Sequence, residues 1–347
     1  MATPAPSQTL TSATFAKLSP HPFLLANLQP PPQTSSPSSR TNGRQPAQAR
    51  APHVNTSSLT HAHGSAVART GDTTVICGVR AETLRTGDIP NYRVLDAGEA
   101  EEAEEERRNR GRKELRDYDL LVPNIELATG CAPTFLPGVP PTALAQTLST
   151  RVYSLLHSSG LVDVEDLRIY HHHSSPSSTT RDEGEEEGGE GTVEKEVKAY
   201  WVLYIDVLFI SFDGNPFDAA WAAVVAALRD TKLPRASWDA DREMVLCSRQ
   251  PPVPLNIRGL PVACTAAVFT AKEKQKKGGG QYWILVDPDR LEESLCDETV
   301  TMVVDESGGE TKVLAISKSG GTIVGPKLMR EFATAARERW KEFHAVL

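Results

Sequence analysis

A regular alternation of apolar and polar positions begins at His63. The run "HGSAVARTGDTTVICGVRAETL" (63–84) carries two β-rich stretches separated by Gly71-Asp72, which predicts a hairpin. A further strand is expected within "DYDLLVPNIELATG" (117–130), after which the period lengthens. Leu144, Leu148, Val152, Leu155 and Leu156 recur at helical spacing between Pro140-Pro141 and Gly160, so one face of that helix is core. "LVDVEDLRIYHHH" predicts a short strand and "VKAYWVLYIDVLFISFDG" a long one. The segment from Phe217 to about Thr231 is apolar on all sides, so its helix must be buried on more than one face. Beyond a Pro-interrupted crossing segment that starts at Lys232, "PVACTAAVFT", "QYWILVDP", "TVTMVVDES" and "TKVLAISKSGG" predict four strands. A short helical piece at Asp289–Cys296 and an amphipathic helix from Gly325 to Ala345 complete the pattern. The expected fold class is α+β, with two lobes of mixed sheet and packed helices, 63–234 and 235–347.

Three segments break the periodicity. Residues 1–62 are rich in Pro, Ser, Thr, Gln and Ala and read as a mostly flexible arm with one docking segment at 20–28, which contains "HPFLLANL". Residues 85–116 run from "GEAEEAEEE" into "RRNRGRK" and read as a charged, solvated, partly helical insertion in the first lobe. Residues 171–196 read as a second insertion, and Lys272–Gly280 as a basic, Gly-rich hairpin tip.

Charge changes the picture only locally. The formal net charge is −8, and "DEGEEEGGE" (182–190) alone holds six acids, so the rest of the chain is close to neutral and can still present a basic face to nucleic acid. No stretch approaches the roughly 20 apolar residues needed to cross a bilayer. The N-terminus lacks a charged region followed by an apolar core, so no secretory signal is expected. Cys77, Cys131, Cys247, Cys264 and Cys296 form no C-x-x-C pair and read as reduced thiols. "HHH" at 171–173 has no partner at ligand spacing, so neither a metal site nor a cofactor is expected.

The most suggestive chemistry lies in "ISFDGNPFDAAWAAVVAALRD" (210–230), where a strand passes through a Gly turn into a helix. Such a helix start offers unpaired N–H groups and a positive dipole end to an anion. This stretch, with "RTNGR" (40–44), "GSAVARTGDTTVICGVRAE" (64–82), "PNIELATGCAPTFLPGVPP" (123–141) and "ILVDPDRLEE" (284–293), resembles the RNase PH superfamily over roughly residues 40–340. Within it, the wording is similar to the branch of RNase PH-like ring subunits of the eukaryotic RNA exosome. The resemblance implies the RNase PH-like fold and descent from enzymes that remove the 3′ nucleotide of RNA with inorganic phosphate. Active relatives carry Gly-Gly-Thr-Arg at the helix turn; this chain has Gly214, Asn215, Pro216 and Phe217. Proline cannot donate, a phenyl ring replaces the guanidinium, and Asp213 and Asp218 flank the turn. Active relatives also carry two Asp residues six apart, matched here by Asp287 and Glu293, which from the residues alone read as a turn and as part of a capped, solvated helix.

The resemblance therefore implies a non-catalytic subunit of the hexameric ring. Its expected partners are other RNase PH-like ring subunits, RNA-binding cap proteins and single-stranded RNA in the channel, with no membrane. It implies nucleus, nucleolus and cytoplasm as its location. Arg80, Arg107, Arg108, Arg110, Arg112, Lys113 and Arg151 are the candidates for RNA contact or for interfacial ion pairs. The alternative reading is an active phosphate-dependent 3′ exoribonuclease.

Overall fold

Gly71 and Asp72 reverse the chain so that β2 (Gly64–Thr70) pairs antiparallel with β3 (Thr73–Arg85), as the alternation predicts. The computed structural model describes residues 11–30, 37–93, 104–138, 140–172, 195–271, 282–296, 298–321 and 325–347. The acidic run 182–190, the tip 272–280 and the start of the Glu-rich block, 98–103, lie outside the described residues.

The N-terminal segment forms α1 (Ser12–Leu18) and α2 (Pro20–Leu28), and then β1 (Pro52–Thr56), which adds to the edge of β2. The remaining elements of the first lobe are α3 (Glu104–Asp117), β4 (Leu121–Leu127), α4 (Ala143–Ser159), β5 (Arg168–His172), β6 (Lys195–Ser211) and α5 (Pro216–Asp230). Its sheet runs β1-β2-β3-β6-β4, and β5 also pairs with β6; β4 and β6 are parallel, the other pairs antiparallel. Two small ribbons, β7 (Lys232–Leu233) with β10 (Val253–Pro254) and β8 (Ala236–Asp239) with β9 (Met244–Cys247), fill the crossing segment. The second lobe holds β11 (Val262–Thr270), β12 (Tyr282–Val286), α6 (Arg290–Leu295), β13 (Glu298–Asp305), β14 (Lys312–Ser319) and α7 (Pro326–His344), with sheet order β12-β11-β13-β14.

Helix α5 lies between the two sheets, touching β2 and β3 on one side and β11 on the other. That placement explains its composition. Every residue from Pro216 to Leu228 is buried, and the run of alanines among them lets one helix approach two sheets closely. Trp221 fixes the join, its indole N–H donating to the carbonyl of Pro261 at 2.8 Å. Helix α7 covers the second sheet with Phe332, Ala336, Trp340 and Phe343, so the core is continuous across both lobes.

Two expectations are corrected. Residues 37–62 are not part of a flexible arm: β1 belongs to the first sheet and the Arg40 side chain is 0% exposed. The segment "HPFLLANL" folds back as α2, with Leu24 and Leu28 packed on Phe269 and Leu285 of the second lobe. The insertion 85–116 is helical in part, as expected, but it is not solvated throughout. β3 runs to Arg85, and residues 104–117 form α3, anchored by buried Leu115 and Glu114. The composition conceals both features because each is held by a buried ion pair, and the sequence pattern shows the charges without their partners.

Candidate functional site

The strand-to-helix turn sits where the two lobes meet. Gly214 has φ +77, and a Cβ there would lie 2.5 Å from the carbonyl carbon of Asp289, so only glycine lets the lobes approach this closely. Asn215 follows with φ +49 at the N-cap position of α5, where its side chain makes no capping bond. Thr73 pins the turn from β3: its Oγ1 donates to the Gly214 carbonyl at 3.0 Å and accepts the Asp213 N–H at 2.9 Å.

One N–H that this turn offers is already taken. Asn215 N–H donates to Glu293 Oε1 at 2.7 Å, so a carboxylate from α6 occupies the position at the helix start that suits an anion. Pro216 has no donor, and Phe217, 4% exposed, packs under the guanidinium of Arg151 at 3.8 Å from the ring centroid. Arg151 also donates to Thr301 Oγ1 at 2.9 Å. Burial lowers its pKa, and the nearby Asp218 carboxylate opposes that shift.

Around the turn, three arginines of the N-terminal segment grip two carboxylates of the second lobe. Arg50 makes a two-pronged bond to Asp287, from Nε to Oδ2 and from Nη2 to Oδ1, each 2.8 Å, and its backbone N–H reaches Oδ2 at 2.8 Å. Its remaining arm donates to the Asp213 carbonyl at 2.8 Å. Arg44 lies 3.5 Å from Asp287 and 3.6 Å from Glu292, and Arg40 lies 3.6 Å from Glu292. Arg40 also donates to the carbonyls of Val286 and Pro46. Asn215 Nδ2 bridges Asp218 and Asp287 at 2.8 Å each, and Asp218 accepts both the N–H and the hydroxyl of Thr265 at 2.7 Å.

These partners set the protonation states. Burial pushes Asp287 up, but the hydrogen bonds and charge of Arg50 outweigh it and hold the group at about 2. Burial pushes Glu293 up to about 7, against the lowering effect of the Asn215 N–H and of Arg50. Asp218 is raised by burial, with Thr265 and Asn215 opposing. Burial lowers Arg40 to about 10, opposed first by Glu292.

Glu293 gives the first prediction. Its folded pKa lies above the ordinary carboxylate value, so the stability it lends is complete at low pH and is lost as pH rises through about 7. In urea titrations, Glu293→Gln therefore gains stability relative to the parent between about pH 5 and pH 8. A difference that stays flat across that range would show that Glu293 is already ionised at the low end.

The sequence candidates thus separate. Gly214, Asn215, Pro216, Phe217, Asp287 and Glu293 converge on one place. The expectation that Glu292 and Glu293 merely cap or solvate a short helix is corrected: Asp289 and Glu292 do form a reciprocal capping box, but Glu292 is fully buried on Arg40 and Arg44. Arg151, half-buried, is turned onto Phe217 and Thr301. Arg80 is exposed on β3, beside Glu82 at 3.4 Å and over the Tyr204 ring at 5.5 Å. Arg107, Arg108, Arg112 and Lys113 are exposed on α3 and Arg110 is half-buried. Among the described residues no group of His, Cys, Asp and Glu is arranged to hold a metal ion, and His171 lies in β5 beside the Trp238 carbonyl. The sequence reading missed Arg40, Arg44 and Arg50; the first two sit in "RTNGR", whereas nothing around Arg50 marks it out.

The comparisons with known proteins agree with this architecture. Residues 48–234 match the model for the 3′ exoribonuclease family, domain 1, and residues 259–339 match domain 2. The chain is 30% identical to Exosome complex component rrp43 of Schizosaccharomyces pombe over 87% of each chain. It is 28% identical to Exosome complex component Rrp42 of Archaeoglobus fulgidus over 81% of this chain and 83% of that one. Among solved structures, it superimposes on a chain of the Archaeoglobus fulgidus exosome with RNA bound to the active site at TM-score 0.60 and 25% identity, covering 93% of this chain and 97% of that one. The two-lobed fold with its shared turn, and both family domains in order, make this chain a member of the 3′ exoribonuclease (RNase PH) family.

Proposed function

We propose that the chain is a non-catalytic subunit of an exosome ring of RNase PH-like proteins, scaffolding 3′-to-5′ RNA processing and degradation, rRNA maturation included, and helping to channel the RNA. The single observation that carries this reading is Glu293 on the Asn215 N–H. Phosphorolysis brings two anions together and needs fixed positive charge there. Instead the helix start is filled by the chain's own carboxylate, and Arg50 is committed to Asp287 and Asp213. The names of the relatives support the ring assignment. So does the edge strand β14, where Val313 is 48% and Ile316 57% exposed, a surface suited to a neighbouring subunit. Cap proteins and single-stranded RNA are the other partners in this reading, and the exposed Arg80 and Lys113 are its RNA-facing cations. The corresponding location is nucleus, nucleolus and cytoplasm.

One observation favours the second reading, an active phosphorolytic 3′ exoribonuclease: a carboxyl at about 7 beside an ionised Asp287 is suited to giving a proton to a leaving group. The two readings part on one assay. Incubated with single-stranded RNA, inorganic phosphate and Mg²⁺, the purified chain is expected to release no nucleoside diphosphate. Phosphate-dependent release that disappears in Glu293→Ala would reverse the assignment.

A further inference from the structure

A second concavity lies away from the turn between the lobes. It is a cavity of about 500 Å³ framed by α3, by the segment from Ser159 to Glu165 that follows α4, by the Arg258-Gly259 turn and by the start of β14. Seven cationic side chains and three carboxylates line it. All three carboxylates are engaged. Asp163 is bonded to Arg258, Glu165 to Arg168, and Asp305 Oδ1 accepts the N–H groups of Leu260 and Ser307 at 3.2 and 2.9 Å. Arg107 and Arg112 of α3 and Lys312 of β14 take part in no ion pair among the described residues and face the same cavity from opposite walls. Gly160 ends α4 at φ +66, a conformation glycine adopts freely, and the Arg112 guanidinium lies against it.

We propose that this cavity is a binding site for a compact, phosphate-dense anion, an oligophosphate chain either free or carried by a small molecule. Convergent cations on rigid elements, seven against three carboxylates, attract a ligand that packs several charges into a small volume. The volume falls within the range of small-molecule sites. An extended RNA strand fits less well, because the lining contains no aromatic side chain among the described residues on which a base could stack. The site is separate from the turn at Asn215 and does not depend on the proposed ring function.

The test is isothermal titration of the full-length chain at low salt with inorganic tripolyphosphate, ATP, inorganic phosphate and a short oligoadenylate. Tripolyphosphate is expected to bind one site, to bind more tightly than inorganic phosphate, and to weaken with added salt. The double variant Arg107→Ala, Lys312→Ala is expected to weaken it by at least about tenfold, whereas Lys341→Ala on α7 leaves it unchanged. Both altered residues are exposed, so the fold survives, and the rise in melting temperature with tripolyphosphate should vanish in the same variant. ATP binding as tightly as tripolyphosphate supports the site with a nucleotide as its source; weaker ATP binding supports a free oligophosphate. Tighter binding of oligoadenylate than of tripolyphosphate, or unaltered tripolyphosphate affinity in the double variant, overturns the proposal.

Discussion

Replacing Arg50 with alanine lowers the unfolding free energy by about 3–5 kcal/mol, the range seen when one partner of a buried ion pair is removed. The magnitude follows from what is left behind. Asp287 has a side chain 1% exposed and is held at about 2 chiefly by Arg50, so loss of that partner leaves a buried charge between the lobes with the longer Arg44 contact at 3.5 Å and the N–H groups of residues 50 and 215. Arg50 also ties the Asp213 carbonyl to the same point, so the turn at Gly214 loosens with it. Asp287→Asn removes the stranded charge, and the double variant is therefore expected to lose less than the two single losses together, by about 0.5–3 kcal/mol. Urea denaturation of the parent and three variants measures this. A loss below about 1 kcal/mol for Arg50→Ala would mean that the pair behaves like a solvent-screened surface contact. The same linkage has a pH signature: because Asp287 is lowered by folding, its contribution is present above the ordinary aspartate range and fades as pH falls towards 2, opposite in sign to Glu293.

The periodic parts of the fold were legible because burial imposes a period. The β2–β3 hairpin, the one-faced helix α4 and the all-round apolar helix α5 all follow from spacing, and α5 is indeed covered on both sides. The site was legible in half. Gly214, Asn215, Pro216, Phe217, Asp287 and Glu293 stand at recognisable places in motifs, yet their partners do not. Arg50 acts on Asp287 across a separation of 237 residues, and no local pattern can encode that. Glu293 is the clearest case. Its place in "DRLEE" suggests a solvated helix, and only the approach of the lobes brings it to the Asn215 N–H, where it does what an external anion would otherwise do. The N-terminal segment escaped for a related reason: low complexity signals disorder only when charges such as Arg40 have nothing buried to meet.

Glu114→Ala is expected to cost about as much as Arg50→Ala, again roughly 3–5 kcal/mol, and to release α3 from the first lobe. Glu114 reaches inward from a helix whose sequence is almost wholly charged. It holds Arg168 with both oxygens, at 3.1 and 2.5 Å, and accepts the Tyr200 hydroxyl at 2.6 Å. Arg168 has a side chain only 8% exposed, and burial together with the Glu114 carboxylate keeps the Tyr200 phenol protonated well above its ordinary range. Truncation therefore leaves a buried guanidinium with Glu165 alone and a buried hydroxyl without its acceptor. Glu114→Gln keeps an acceptor for Tyr200 while removing the charge, so its loss should be smaller. Hydrogen exchange localises the effect: amides of residues 104–117 should lose protection in Glu114→Ala while those of α5 keep it, since α5 is held by the two sheets. Equal protection of α3 in parent and variant would show that Leu115 and the surrounding apolar contacts suffice to hold it. Because Arg107 and Arg112 stand on the same helix, the freed form should also bind tripolyphosphate less tightly, through lost preorganisation of the cavity wall rather than lost charge.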